Sequence, residues 1–306
     1  MEAVTSELLK QISDFDGDKF KGAYNIRENS GCAGRQSSEH IKIEPKTDNP
    51  GIVIRISKDA QKETVYIPAC VTLSNIKDVV YNDFIIEDGA DVTIVAGCGV
   101  HVEGEGGSSH NGIHRFFVGK NAKVLYKEKH IGTGKGTGDK VIDPVTNIEL
   151  GENSYMEMDT AQIGGVTRST RTTRAHLDAQ AKLVIRERLL TDGNEYAKSD
   201  FDVIMDGEDS GVDLVSRSVA KGNSLQEYHS VIHGNCRCTG HSECDGILSG
   251  NGVVNAAPEL HAGNIDASLI HEAAIGKIAG EQIIKLCTLG LTEEEAEQKI
   301  IDGFLR

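Results

Sequence analysis

The chain has no tryptophan, and aromatic residues make up only 5% of its 306 positions, so its core has to be built from Val, Ile, Leu and Ala instead of ring packing. No apolar run approaches the roughly eighteen residues that a membrane-spanning helix needs. The first stretch, MEAVTSELLKQISDFDGDKF, has neither a basic n-region nor an apolar h-region. A soluble, cytoplasmic protein without a membrane partner is expected. Positive charge is scarce: 32 Lys and Arg stand against 47 Asp and Glu, for a formal net charge of −15. That disfavours nucleic acid as a partner, because such sites neutralise phosphates with clustered Lys and Arg. The seven cysteines are an odd number in a long chain without a secretion signal. A disulfide framework is therefore the wrong default, and thiol chemistry or metal ligation the better one, with inert buried cysteine as the alternative.

Glycine is abundant, at 34 residues, and much of it punctuates an imperfect repeat. Turn residues are followed by alternating aliphatic and polar positions in EDGADVTIVAG (87–97), GKNAKVLYKEKHIG (119–132), GENSYMEMDTAQIG (151–164), DAQAKLVIRERLLTDG (178–193) and GEDSGVDLVSRSVAKG (207–222). Aligning Ala90, Ala122, Ser154 and Ala181 gives steps of 32, 32 and 27. Period-two alternation, as in Val92/Ile94, Val124/Tyr126 and Leu183/Ile185, is the mark of half-buried strands. Strands at near-regular spacing, without helices between them, predict an all-β fold: a right-handed parallel β-helix over about 76–275, with a sandwich or barrel as the competing arrangement. A short N-terminal region, 1–75, precedes it, and Leu8, Leu9 and Ile12 in TSELLKQI predict a short amphipathic helix there. Residues 276–306 predict two helices. GKIAGEQIIKLCTLG stops at Gly290, and LTEEEAEQKIIDGFL opens on a Thr292–Glu295 capping box and carries an apolar stripe of Ile300, Ile301 and Phe304 that suits a partner.

Several segments suggest chemistry. GTGKGTGDK (132–140) is Gly-rich but lacks the P-loop pattern, since Gly136 follows Lys135 where Ser or Thr should stand, and it reads as a mobile loop. STRTTRAH (169–176) places Arg171, Arg174 and His176 within about one rung, as an anion-binding face or as solvated surface charge. HGNCRCTGHSECDG (233–246) gathers Cys236, Cys238, Cys244 and His241. Cys236 and Cys238 share a strand face, with Cys244 at an even offset across a Gly240 turn. The spacing is not that of a structural zinc site, so metal ligation and small-residue packing stand as equal readings. In ASLIHEAAIGKI, His271 and Glu272 lie 27 and 28 positions beyond Cys244, about one coil away.

From Ser242 onward, SECDGILSG, then APELHAGN, then ASLIHEAAIGKIAGEQIIKLCTLGLTEEEAEQKIIDGFL form an ordered series that resembles the C-terminal half of the SufB/SufD family of the SUF iron–sulfur cluster assembly machinery. The resemblance covers about residues 80–306 and implies a parallel β-helix ending in two helices. It implies a non-enzymatic scaffold that accepts sulfur and iron to build a transient, nascent iron–sulfur cluster. The ATPase activity would belong to a SufC-type ABC ATPase docked on the C-terminal helices at Ile300, Ile301 and Phe304. By the same resemblance Cys244, His271 and Glu272 are the cluster and metal ligands, and Cys98 is the sulfur acceptor, served by a sulfur donor protein. Cys236, Cys238 and His241 have no counterpart in the family motif and are additional candidate ligands. The presence of Cys98 with Glu272 points to SufB over SufD, and the brevity of the chain to a minimal system in which it forms a homodimer through the β-helix, with a heterodimer with a SufD-like protein as the alternative. A flavin is compatible with this but not indicated. The competing readings are a SufD-like adaptor with inert cysteines and a β-helix carbohydrate-active enzyme, the latter poorly served by a chain without Trp.

Overall fold

The strands expected from period-two alternation stack in register. A computed structural model describes residues 3–13 and 20–306, so part of the expected N-terminal region lies outside the described residues. The described residues form three helices and two ten-stranded sheets, which together make a parallel β-helix of about eight turns. Asp91–His101, Lys123–Thr133, Tyr155–Ile163, Lys182–Thr191, Gly211–Ala220, Cys238–Leu248 and Ala267–Lys277 follow one another in one sheet, each paired in parallel with the next. Lys77–Ile86, Ser108–Val118, Arg168–Leu177, Tyr196–Met205, Leu225–Gly234 and Val253–Ala262 climb the facing sheet, where Lys140–Ile142 and Val145–Leu150 together fill one level.

Register follows the repeat. Asp91, Lys123, Tyr155 and Lys182 are successive Cα partners, so the residues before them, Ala90, Ala122, Ser154 and Ala181, occupy one corner of successive coils, and all four are buried. The residue before each of these takes a positive φ: Gly89 (78°), Asn121 (57°), Asn153 (56°) and Gln180 (60°). A left-handed corner residue followed by a small buried one turns the chain into the next strand. Neighbouring corners bond to each other, as in Asn153 Nδ2 donating to Asn121 Oδ1 at 2.7 Å.

The two ends of the solenoid differ. Parallel stacking already holds upstream of residue 76, where Gly51–Ile56 pairs with Lys77–Ile86 and Ala23–Glu28 with Gln61–Val71. Antiparallel partners, Ile41–Pro45 and Gly31–Gln36, then close that end and cover its edges. The N-terminal helix Ala3–Ser13 buries Leu8, Leu9 and Ile12 against the outside of Asp91–His101. Only glycine admits it so closely: a Cβ on Gly97 would sit 2.8 Å from Ile12 Cβ, and one on Gly99 2.9 Å from Leu8 Cδ2. At the other end, Val253–Ala262 and Ala267–Lys277 are edge strands whose side chains are half-buried or exposed on both faces.

The C-terminal helices are Gly280–Cys287 and Glu293–Phe304, with Gly290 at φ 96° between them. Both halves of the Thr292–Glu295 capping box form. The Gly-rich segment 132–140 is stacked on the loop one coil below: Gly136 N donates to Val102 O at 2.9 Å and Gly138 N to Gly104 O at 3.1 Å. Its glycines serve backbone approach, since a Cβ on Gly134 would meet Val102 O at 2.2 Å.

Candidate functional site

Period-two alternation sends every second side chain of the sheet containing Cys98 and Cys244 into the solenoid. The ladders align these inward residues in columns that run along the axis. One column contains Ala96, Glu128, Thr160, Glu187, Ser216, Cys244 and Ala273; the next contains Cys98, His130, Gln162, Leu189, Ser218, Gly246 and Ile275. Cys98 and Cys244 thus stand in adjacent columns, two residues apart in strand register and five coils apart along the axis. Both are buried, at 2% and 1% exposure.

Between them runs a line of enclosed polar groups. Cys98 is the register partner of His130, whose Nε2 lies 3.3 Å from Glu128 Oε1. From the facing sheet, Arg171 Nη1 donates to Glu128 Oε2 at 2.7 Å, and its Nε lies 3.6 Å from Glu187 Oε1. Glu187 also accepts from Ser199 Oγ at 2.6 Å and from Ser216 Oγ at 2.7 Å. Ser216 is the register partner of Cys244. Burial opposes the charge on Glu128, yet His130 and Arg171 hold its carboxyl well below the usual carboxylate range. Burial lowers the pKa of His130, and Glu128 only partly offsets this. For Arg171, burial is outweighed by Glu128 and Glu187, and its pKa is raised. The two thiols are poor acids as they stand. Burial, with Glu187 and Asp245, pushes Cys244 up to about 12, and burial, then Cys70 and Asp78, drives Cys98 well above the usual thiol range. Next to Cys98 is a narrow cavity of about 40 Å³, lined among others by His110, His130, Arg35, Cys32 and Asn82, whose Oδ1 has no hydrogen-bond partner. Cys32 is exposed and gives that cavity a thiol at the surface.

At the open end the expected ligand set is divided by parity. Cys244 and His271 both point inward, on adjacent coils: Cys244 pairs with Ala273, two residues beyond His271. His271 is half-buried, and its Nδ1 lies 2.9 Å from Ser242 O, which leaves Nε2 for a ligand. Glu272, one residue on, points to the outer face and is exposed. It gathers there with His241 and Glu243, and the ligand atoms of the three lie within 4.8 Å of one another. His241 is therefore placed with Glu272 and not with Cys244.

Cys236 and Cys238 are both buried. Cys236 lies in the turn before Cys238–Leu248, where its thiol donates to Gly207 O at 3.0 Å. Cys238 points inward on the same face as Cys244, and burial, then Cys236, raises its pKa. Gly240 is a mid-strand residue, not a turn. The basic cluster at 169–176 also divides: Arg171 is enclosed, whereas Arg174 and His176 point outward, and His176 bonds to Asp206 at 3.0 Å. On the C-terminal helix Ile301 is buried at 1% exposure, while Ile300 and Phe304 are half-buried and line an open groove of about 460 Å³ with Ile247, Ile275 and Ile278. Sequence reasoning missed Glu128, His130, Glu187 and Cys32. The signal for the first two lay in YKEKH, where Tyr126, Glu128 and His130 share the parity of the core residues Ala122 and Val124.

Among the described residues no helix is long and apolar enough to cross a membrane. Residues 77–304 match the family described as SUF system FeS cluster assembly, SufBD core domain. An iron–sulfur cluster assembly SufBD family protein of Archaeoglobus fulgidus is 30% identical over 275 residues, spanning 89% of this chain and 72% of that one. A protein of the same description from Methanothermobacter thermautotrophicus is 28% identical over 299 residues, 95% of this chain and 67% of the relative. One from Methanocaldococcus jannaschii is 28% identical over 300 residues, with 93% and 90% covered.

Proposed function

Because the chain belongs to the SufBD family, whose members take part in iron–sulfur cluster assembly, we propose that it is the scaffold component of a SUF complex, with Cys98 receiving sulfur and Cys244 and His271 holding the nascent cluster. The observation that carries this reading is the enclosed polar line from His130 through Glu128, Arg171, Glu187 and Ser216, which joins one cysteine to the other. Burying such groups is costly unless they are paired, and an aliphatic core would serve stability as well. Their alignment between two thiols suits passage of a polar sulfur species through the solenoid. Thiolate and imidazole suit iron in a cluster, and imidazole is the more labile ligand where the cluster is cargo that must leave. Cys244 is one coil inside the open end, so a cluster assembled there would sit where the uncapped edge strands meet a partner.

The partners follow from the surfaces. A second copy of the chain, or a SufD-like protein, would cover the edge strands Val253–Ala262 and Ala267–Lys277, and a SufC-type ABC ATPase would use the groove at Ile300 and Phe304. Nucleotide-driven movement of the helices would then act on Ala267–Lys277, which runs almost directly into Gly280–Cys287. A sulfur donor protein would approach near Cys32 and the cavity beside Cys98.

A second reading, a SufD-like adaptor with inert cysteines, is favoured by the burial and raised pKa of both thiols in the isolated chain. Anaerobic reconstitution with iron and sulfide separates the two. The scaffold develops a visible absorption band that is lost in Cys244→Ala; the adaptor develops none, or one indifferent to that substitution.

A further inference from the structure

The outer face of the last two coils carries a donor set that the cysteine-based reading does not use. His241 and Glu243 are alternate residues of Cys238–Leu248, and Glu272 is the register partner of Glu243 on Ala267–Lys277. His241 Nε2 lies 3.8 Å from Glu272 Oε2, and one ligand atom from each of the three residues falls within the same 4.8 Å. The ring of His241 is already oriented: its Nδ1 lies 2.8 Å from Asp213 Oδ1, on the preceding strand, which is itself near Arg186 at 3.8 Å. A carboxylate on one imidazole nitrogen fixes the tautomer and aims the other nitrogen outward, as in carboxylate–histidine–metal arrangements. Glu243 and Glu272, like charges directly opposite on neighbouring strands, are an unfavourable cross-strand pair when nothing lies between them. A cation between them reverses that repulsion.

We propose that His241, Glu243 and Glu272 form a binding site for a divalent transition-metal cation of the Fe2+ class on the outer face of the solenoid, separate from Cys244. One imidazole and two carboxylates suit Fe2+, Mn2+, Co2+ or Zn2+ better than Ca2+, and three protein ligands leave open positions for water or for transfer of the ion onward. Cys244 and Glu243 are consecutive residues of one strand, so the site lies on the opposite face of the sheet from the thiol. The binding site stands without the scaffold reading; its use as the point where iron arrives rests on that reading.

The test is anaerobic titration of the full chain with Co2+, followed by visible spectroscopy and equilibrium dialysis. One Co2+ should bind per chain with d–d absorption and no thiolate-to-cobalt charge-transfer band. His241→Asn and Glu243→Gln should each weaken binding at least tenfold with thermal unfolding unchanged, and Asp213→Asn should weaken it about tenfold through the ring it holds. Cys244→Ser should leave it intact. A charge-transfer band that disappears in Cys244→Ser, affinity indifferent to His241→Asn and Glu243→Gln, or no binding at millimolar Co2+ would each overturn the site. If Co2+ binds as described while iron and sulfide reconstitution shows no dependence on Cys244, the scaffold reading fails and the cation site stands.

Discussion

Arg171 and Glu128 meet inside the solenoid at 2.7 Å, one from each sheet, with side chains only 7% and 4% exposed. The pair turns what would be a barrier of two buried carboxylates, Glu128 and Glu187, into a connected polar path, because one guanidinium reaches both.

Replacing Arg171 with Met should therefore be severe. It leaves Glu128 and Glu187 enclosed without their shared cation, at a cost of about 3–5 kcal/mol of unfolding free energy. Adding Glu128→Gln should recover part of that loss. Urea denaturation of the single and double variants measures both; additive losses would show that the two residues do not act as a pair.

The two cysteines should separate by sulfur source. With free sulfide and iron, Cys98→Ala should still form the visible cluster band, whereas Cys244→Ala should not. With a persulfide-bearing donor as the only sulfur source, and a non-thiol reductant supplying the two electrons that convert each transferred sulfur to sulfide, both variants should fail where the unsubstituted chain succeeds. Iron stoichiometry measured in parallel decides the matter, and loss of the free-sulfide band in Cys98→Ala would make Cys98 a ligand instead of an acceptor.

His114 gives the interior a pH dependence. Burial pushes its pKa down to about 4 from the ordinary 6.5, against the pull of Glu128. The folded chain therefore favours the neutral ring, and the unfolded chain binds the extra proton. Stability is unaffected by this group above pH 6.5 and falls as pH drops from 6.5 towards 4, with a slope of at most about 1.4 kcal/mol per pH unit. Comparing the stability slope over that window with that of His114→Gln isolates the contribution; equal slopes would show that the ring titrates normally in the fold.

The C-terminal stripe should behave as two surfaces. Ile300→Glu and Phe304→Glu alter groove residues that are only half-buried, so they should leave the chain folded and abolish co-purification with a SufC-type ATPase. Ile301→Glu places a charge at a buried position and should lower the melting temperature whether or not the ATPase is present. Complex formation unchanged by the first two substitutions would put the docking surface elsewhere.

Much of this was legible from spacing. The 32, 32 and 27 residue steps gave the coil register because the corners repeat the same chemistry, a positive-φ residue and then a small buried one. Leu8, Leu9 and Ile12, and the Thr292–Glu295 box, were readable because helix periodicity and capping are local. Parity was equally readable and shows why the expected ligand set divides: His271 and Glu272 are adjacent on a strand and cannot share a face, and neither can Arg171 and Arg174. The polar interior was not legible by the same route. Hydrophobic patterning assumes that charged residues face water, and Glu128, His130, Arg171 and Glu187 do the reverse, paired with groups up to 43 positions away in the chain.

The stacking of the coils also sets a length. From the strand that carries Ala96 and Cys98 to the strand that carries Cys244 there are five strand-to-strand steps, and at a strand spacing of about 4.8 Å the two cysteine levels stand about 24 Å apart. Each coil contacts chiefly its neighbours, so a whole coil can be gained or lost without redesigning either end. The solenoid is in that sense a ruler graduated in single coils. If the chain is the proposed scaffold, the distance a sulfur atom would travel can change in evolution only by whole graduations, and each one must bring its own inward-facing polar residue if the line is to stay unbroken.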